Sequence, residues 1–218
     1  MTLNVACLNW HDYLGRGEDY VSRLRSMVYR NLTIPHEFRV FTEAECHEKG
    51  WWNKIELTKP GLFDGWVMYM DLDIVIRSNI DHLVKLALTD VYRVWMRDDF
   101  SYPLSKNHRK DLDPETRKLL GGPGCCNSSV MIWHGNAMFP VWEAWSSRRP
   151  EILNTLHGDQ NLISQVLWPD KIGFLPETSV QSYKYGKLRG ESPSPITVCH
   201  GNPKPHEIRE PWVREHWC

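Results

Sequence analysis

The sequence predicts an α/β fold, on three observations. Short apolar runs of β-forming character alternate with helix-periodic stretches through the first half of the chain. One run, Trp66-Val67-Met68-Tyr69-Met70, is apolar at every position, which marks a central strand of a parallel sheet covered on both faces. With 218 residues, 41 % hydrophobic and 24 % charged, the chain has the composition of a globular protein and the length to bury a full core.

Residues 3–8 open the chain as a strand, and in residues 20–32 Tyr20, Leu24, Met27, Val28 and Leu32 recur at helical spacing. Ile34-Pro35 breaks that helix. Residues 38–42 then read as a second strand, 43–49 as a short helix and 53–57 as a further helical segment. Phe63-Asp64-Gly65 turns the chain into the central strand, which stops at Asp71-Leu72-Asp73. Ile74-Val75-Ile76 resumes the apolar run, Asp81-His82-Leu83 opens a short helix, and residues 91–96 give another strand. Residues 101–124 are polar, with Pro and Gly near their end, and predict a loop carrying one helical turn at 114–120. Residues 129–133 read as a strand, and 140–146 and 158–167 as helices. From Pro176 onward the chain reads as irregular except for a strand at 196–199. No repeat or linker divides it, so a single domain is expected over residues 1–218.

Charge excludes some functions. Lys plus Arg number 26 against 27 Asp plus Glu, a net charge of −1, which provides no global field for nucleic acid or an anionic membrane. No apolar run approaches the roughly 18 residues that span a bilayer, and no basic segment precedes an apolar one at the start, so a cytoplasmic protein is expected. Six cysteines (Cys7, Cys46, Cys125, Cys126, Cys199, Cys218) lack a C-x-x-C pair and are expected to be reduced packing thiols. Tryptophan is abundant, 11 copies against 6 Phe and 8 Tyr, and such rings build a core or form platforms for sugars and bases.

The sharpest chemical feature is Asp71-Leu72-Asp73 at the end of the central strand. Two carboxylates placed there repel unless a cation lies between them, and oxygen ligands suit Mg²⁺ or Mn²⁺. By itself D-x-D is more often a solvated strand end. The second feature is Val198-Cys199-His200-Gly201-Asn202-Pro203-Lys204-Pro205. An imidazole completes a Mn²⁺ shell, Gly201 permits close backbone approach, and Lys204 offers an ammonium to phosphate oxygens.

Together these segments resemble the retaining glycosyltransferases of the glycogenin and lipopolysaccharide-galactosyltransferase type, family eight. The resemblance implies the GT-A fold, a Rossmann-like mixed sheet flanked by helices, and a nucleotide-sugar donor. In that family a strand ends in D-x-D and a late H-x-x-G-x-x-K-P-W segment supplies a third metal ligand and a phosphate-binding lysine. Here these positions are Asp71, Asp73, His200 and Lys204, although Gly201 directly follows His200 and His206, not Trp, follows Pro205. Residues 53–57 (Asn-Lys-Ile-Glu-Leu) resemble the family's short helix whose lysine reaches the donor, which makes Lys54 a candidate. Cys126-Asn127-Ser128-Ser129-Val130 is similar to its F-N-S-G-V segment, which implies that Asn127 and Ser128 touch the donor sugar. Gly158-Asp159-Gln160 matches its G-D-Q element, which places Asp159 and Gln160 near the reacting carbon.

By the same resemblance the donor is a UDP-sugar and the cofactor Mn²⁺ or Mg²⁺. Ala6 and Leu8, at the carboxyl end of the first strand, are expected to line the nucleotide pocket, with Leu72 and Gly201 as further donor contacts. Residues 101–124 and the tail 206–218, with Trp212 and Trp217, are the expected acceptor-side segments. The acceptor itself is left open among a glycan, a small molecule, a protein and a modified nucleobase. Two other readings remain at this point: a non-catalytic nucleotide-sugar or glycan-binding module, and a nucleotidyltransferase, which would call for a Gly-rich phosphate loop that Gly15-Arg16-Gly17 does not supply.

Overall fold

The computed structural model describes residues 2–98, 100 and 126–218. The expected loop at 101–124 with its helical turn, and Cys125, lie outside the described residues.

Six strands form the main sheet: β1 (Leu3–Leu8), β2 (Glu37–Phe41), β3 (Trp66–Met70), β5 (Val94–Arg97), β6 (Asn127–His134) and β7 (Ile172–Phe174), in the order β2-β1-β3-β6-β5-β7. β1 is parallel to β2 and β3, but β6 runs antiparallel to both β3 and β5. The sheet is therefore mixed, and β3 is parallel to only one of its neighbours. A smaller sheet joins β4 (Ile74–Ile76), β9 (Ile196–Val198) and β8 (Val180–Ser182), with β4 antiparallel to β9.

Alternate residues of the main strands feed two cores, as the two-residue period of a strand requires. Leu3, Val5, Cys7, Met68, Met70, Val130 and Ile132 pack against α1 (Gly17–Asn31), α3 (Asp81–Ala87) and the small sheet. Ala6, Val67, Tyr69, Met131 and Trp133 face the other way, onto α2 (Asn53–Glu56), α4 (Phe139–Thr155) and α5 (Asp159–Leu167). Tyr20, Leu24, Met27 and Val28 form the buried stripe of α1, each burial contributing about 1.5–3 kcal/mol. Acidic Glu18 and Asp19 begin this helix and Arg30 ends it, as the helix dipole favours.

Three expectations are corrected. Residues 43–49 form a turn and not a helix: Glu45 folds back onto the Thr42 N–H and hydroxyl, and the Glu56 carboxylate takes the N–H groups of His47 and Glu48. The helix expected at 140–146 runs on to Thr155, past Pro150, with a break at Arg148 (φ −132°) that accommodates the proline. The stretch after Pro176 is ordered into β8, β9, α6 (Tyr183–Arg189) and α7 (Pro211–His216). Its elements are only three to seven residues long, too short for a periodic signature. The tail is docked. Trp217 is buried edge-on against Tyr20 under the Arg23 guanidinium, and the Trp212 indole N–H donates to Glu210.

Cys7, Cys46 and Cys199 are buried free thiols, and burial pushes those of Cys7 and Cys46 up to about 12, as inert packing residues require. Among the described residues no helix is long and apolar enough to cross a membrane.

Candidate active site

The topology gathers the predicted residues at one edge of the main sheet. β1 and β3 are parallel, so Leu8 and Asp71 emerge together, and antiparallel β6 begins there with Asn127 and Ser128. The ladder continues one residue past β3, where the Asp71 N–H donates to the Ser129 carbonyl at 2.8 Å. The start of α5 brings in Asp159. β9 is antiparallel to β4, so its far end meets the start of β4: the Cys199 N–H donates to the Asp73 carbonyl at 2.9 Å, which sets His200 beside the D-x-D turn.

Lys54, from α2, lies in the middle. Its ammonium is 2.8 Å from Asp71 Oδ1 and 3.2 Å from Oδ2, 3.2 Å from Ser128 Oγ and 3.7 Å from Asp159 Oδ2. Tyr69 OH also donates to Asp71 Oδ1 at 2.8 Å. Asp73 is held separately: Lys204 Nζ and Tyr13 OH both converge on its Oδ2. Tyr13 is presented by a strained turn in which His11, Asp12 and Leu14 all have φ between 49° and 58°. The turn is pinned by Asn9, whose Oδ1 accepts the Tyr13 N–H at 3.1 Å and would lie 2.0 Å from any Cβ at position 17, so that position needs glycine.

The three carboxylates respond differently. Burial raises the Asp71 carboxyl, but the Lys54 charge and hydrogen bond outweigh it and hold it below its ordinary value. Asp73 is raised by burial and then by the like charge of Asp71, with Lys204 only partly compensating. Burial raises Asp159 as well, against the pull of Lys54. Lys54 itself is desolvated, yet Asp159 and Asp71 raise its pKa, so it stays charged. Tyr69 is raised by burial and Asp71, and remains a neutral donor.

Two clefts flank this cluster. One, of about 310 Å³, is walled by Leu8, Trp10, Tyr13, Trp51 and Asn53, with Leu72, Asp71 and Asp73 at its floor. The second, of about 430 Å³, includes Asp71, Asn127, Ser128, Asp159, Gln160 and His200. Ala6 is fully buried in the core and walls neither cleft; Gly201 is exposed, with φ 69°, and walls neither.

Trp51, which the sequence did not single out, borders both clefts. It is 51 % exposed, its indole N–H donates to the His157 carbonyl at 2.9 Å, and its ring packs against Gly158. An exposed tryptophan beside a G-D-Q segment is a signal that tertiary proximity alone reveals.

Asp71 and Asp73 carry lysine partners, and His200 Nε2 shares a 2.7 Å hydrogen bond with Ser182 Oγ while its ring stacks on Phe100. Among the described residues no three His, Cys, Asp or Glu side chains are gathered as a ready metal shell. The chemistry nevertheless fits a divalent cation. Three carboxylates, those of Asp73 and Asp159 buried and that of Asp71 partly exposed, face two ammonium groups, an excess of one negative charge, and Asp159 Oδ2 is buried with no hydrogen-bond partner.

No family model and no curated protein matches the sequence. Solved structures do. An active-site variant of LgtC, a galactosyltransferase, superposes with a TM-score of 0.65 at 11 % identity, over 97 % of this chain and 93 % of that one. A glycosyltransferase involved in glycosylation of the major capsid of PBCV-1 gives 0.63 at 12 % identity, over 93 % and 95 %. Mouse xyloside xylosyltransferase 1 gives 0.56 at 13 % identity, over 93 % and 98 %. The central mixed sheet flanked by helices is the fold of these glycosyltransferases.

Proposed function

We propose that the protein is a glycosyltransferase that moves a sugar from a nucleotide-sugar donor, a UDP-sugar, to an acceptor. The observation that supports this reading is the cluster of Asp71, Asp73 and Asp159 with Lys54 and Lys204, placed where the sheet of this fold opens into two clefts.

Glycosyl transfer needs stabilisation of charge on a departing nucleoside diphosphate. Mn²⁺ or Mg²⁺ held by Asp71, Asp73 and His200 would supply Lewis-acid stabilisation to the diphosphate oxygens. Lys54 and Lys204 provide further positive charge at the same place, and their ammonium groups can exchange carboxylate oxygens for phosphate oxygens. In the first cleft Trp10, Tyr13 and Trp51 offer faces for the base. In the second, Asn127, Ser128, Asp159 and Gln160 orient the sugar beside the acceptor's entry. Retention, implied by the resemblance, proceeds by same-face attack or through the Asp159 carboxylate or Gln160 amide. The acceptor is a glycan, small molecule, protein or modified nucleobase.

Because both D-x-D carboxylates already carry ammonium partners, a metal must compete for them until a diphosphate engages the lysines. Titration of Mn²⁺ by electron paramagnetic resonance, with and without UDP, tests this. UDP should tighten Mn²⁺ binding at least about tenfold, and Asp73→Asn should abolish that tightening. Absence of UDP binding with or without metal would overturn the proposal.

A further inference from the structure

A third cleft, of about 590 Å³ and basic in its lining, adjoins the Lys204 segment at Pro205. It is lined by Arg16, Arg23, Arg209, Arg214, His206 and Trp217, with Glu207 and Pro205 completing that wall. Four guanidinium groups face two carboxylates, Glu207 and the adjoining Asp19. Asp19 pairs with Arg16 at 2.9 Å and Arg23 at 2.7 Å, and Glu207 accepts the Lys204 backbone N–H at 2.7 Å. Arg209 and Arg214 make no ion pair among the described residues, and both are exposed.

One wall of the cleft is fixed: the Arg23 guanidinium lies 4.3 Å above the Trp217 ring and donates a 2.8 Å hydrogen bond to the Trp217 carbonyl. The exposed, unpaired guanidinium groups of Arg209 and Arg214 in the same lining suit an oxyanion, and a fork of N–H groups matches the oxygens of a phosphate.

We propose that this cleft binds the phosphate group of a phosphorylated saccharide, with Arg209 and Arg214 as its principal donors. The segment that walls it also faces the candidate donor site. His206 Nδ1 and Tyr20 OH share a 2.6 Å hydrogen bond, Tyr20 packs edge-on against Tyr13, and Tyr13 donates to Asp73. A role in holding an acceptor rests on the proposed transfer reaction; phosphate binding itself does not.

Calorimetric titration with inorganic phosphate, glucose 6-phosphate and glucose tests the site in the full chain. Phosphate should bind with a dissociation constant of about 0.1–1 mM that weakens with salt, glucose should not bind, and R209A/R214A should weaken phosphate at least about tenfold. Tighter binding of glucose 6-phosphate than of phosphate supports a saccharide ligand, and equal binding overturns that part. The component of phosphate binding that R209A/R214A removes should persist in Lys54→Met, which alters the donor cluster. If phosphate binding is lost in Lys54→Met and kept in R209A/R214A, the anion belongs to the donor site and the proposal falls. No binding at about 10 mM also overturns it, whatever the outcome of UDP titration.

Discussion

Lys54→Met isolates the charge at the centre of the cluster while keeping most of the side chain's apolar stem. The substitution removes a donor 2.8 and 3.2 Å from the two Asp71 oxygens and 3.2 Å from Ser128, and a counter-charge 3.7 Å from Asp159. Breaking a buried ion pair from one side costs about 3–5 kcal/mol, because the partner is left uncompensated. The Asp71 side chain is 22 % exposed, so water recovers a part, which brings the expected loss to about 2–4 kcal/mol. For a chain of this size that lowers Tm by about 5–15 °C. The pH dependence has a definite sign. In the wild type Asp71 is held below its ordinary pKa, a stabilisation present at neutral pH and lost as pH falls through the folded value. Without Lys54, burial raises Asp71 instead, and that penalty disappears as the carboxyl takes up its proton. Urea unfolding across pH should therefore show a gap between wild type and variant that narrows on acidification. The double variant with Asp71→Asn should recover much of the loss. A gap under about 1 kcal/mol, or one independent of pH, would refute the assignment of Lys54 as the cluster's counter-ion.

Asp159→Asn should act oppositely on stability and function. Burial raises the Asp159 carboxyl above its ordinary value, so its ionised form is penalised in the fold; Asn removes the penalty at neutral pH. Thermal melts should show a Tm at or above wild type near pH 7, the difference vanishing in acid, while donor turnover falls at least about tenfold. Gly158→Ala would place a Cβ 2.9 Å from Trp51 Nε1. Because Trp51 is half-exposed it can give way, so stability should change by less than about 1 kcal/mol while tryptophan fluorescence and donor KM shift; an unchanged spectrum and KM would remove Trp51 from the site.

The strands were legible where burial is two-sided. Apolarity at all five positions located β3 as Trp66–Met70, and the Asp71-Leu72-Asp73 stop marked the edge where the clefts open. The reversal of β6 was not legible, because a fully buried strand reads alike in both directions and only the partner's register decides. The sequence named Lys54, Asp71, Asp73, Asn127, Ser128, Asp159, Gln160, His200 and Lys204, and the fold brings all nine to one edge. What it missed follows from side-chain reach. Lys204 lands on Asp73, Tyr13 reaches Asp73 from a left-handed turn, and Trp51 lies against Gly158 across 107 residues of chain. Such pairings depend on topology, which no local pattern encodes. Ala6 and Leu8, two residues apart, share one face of β1; Ala6 is packed within the core, while Leu8 at the strand end borders the first cleft.

Release of UDP from a panel of UDP-sugars tests glycosyl transfer most directly, with chelator-stripped protein, with Mn²⁺ restored, and with Asp73→Asn as the control. The account predicts that one donor is cleaved only when Mn²⁺ is present, and that Asp73→Asn lowers that rate at least about 100-fold without lowering Tm by more than about 5 °C. Cleavage of no donor, or equal cleavage by the folded Asp73→Asn protein, would contradict it.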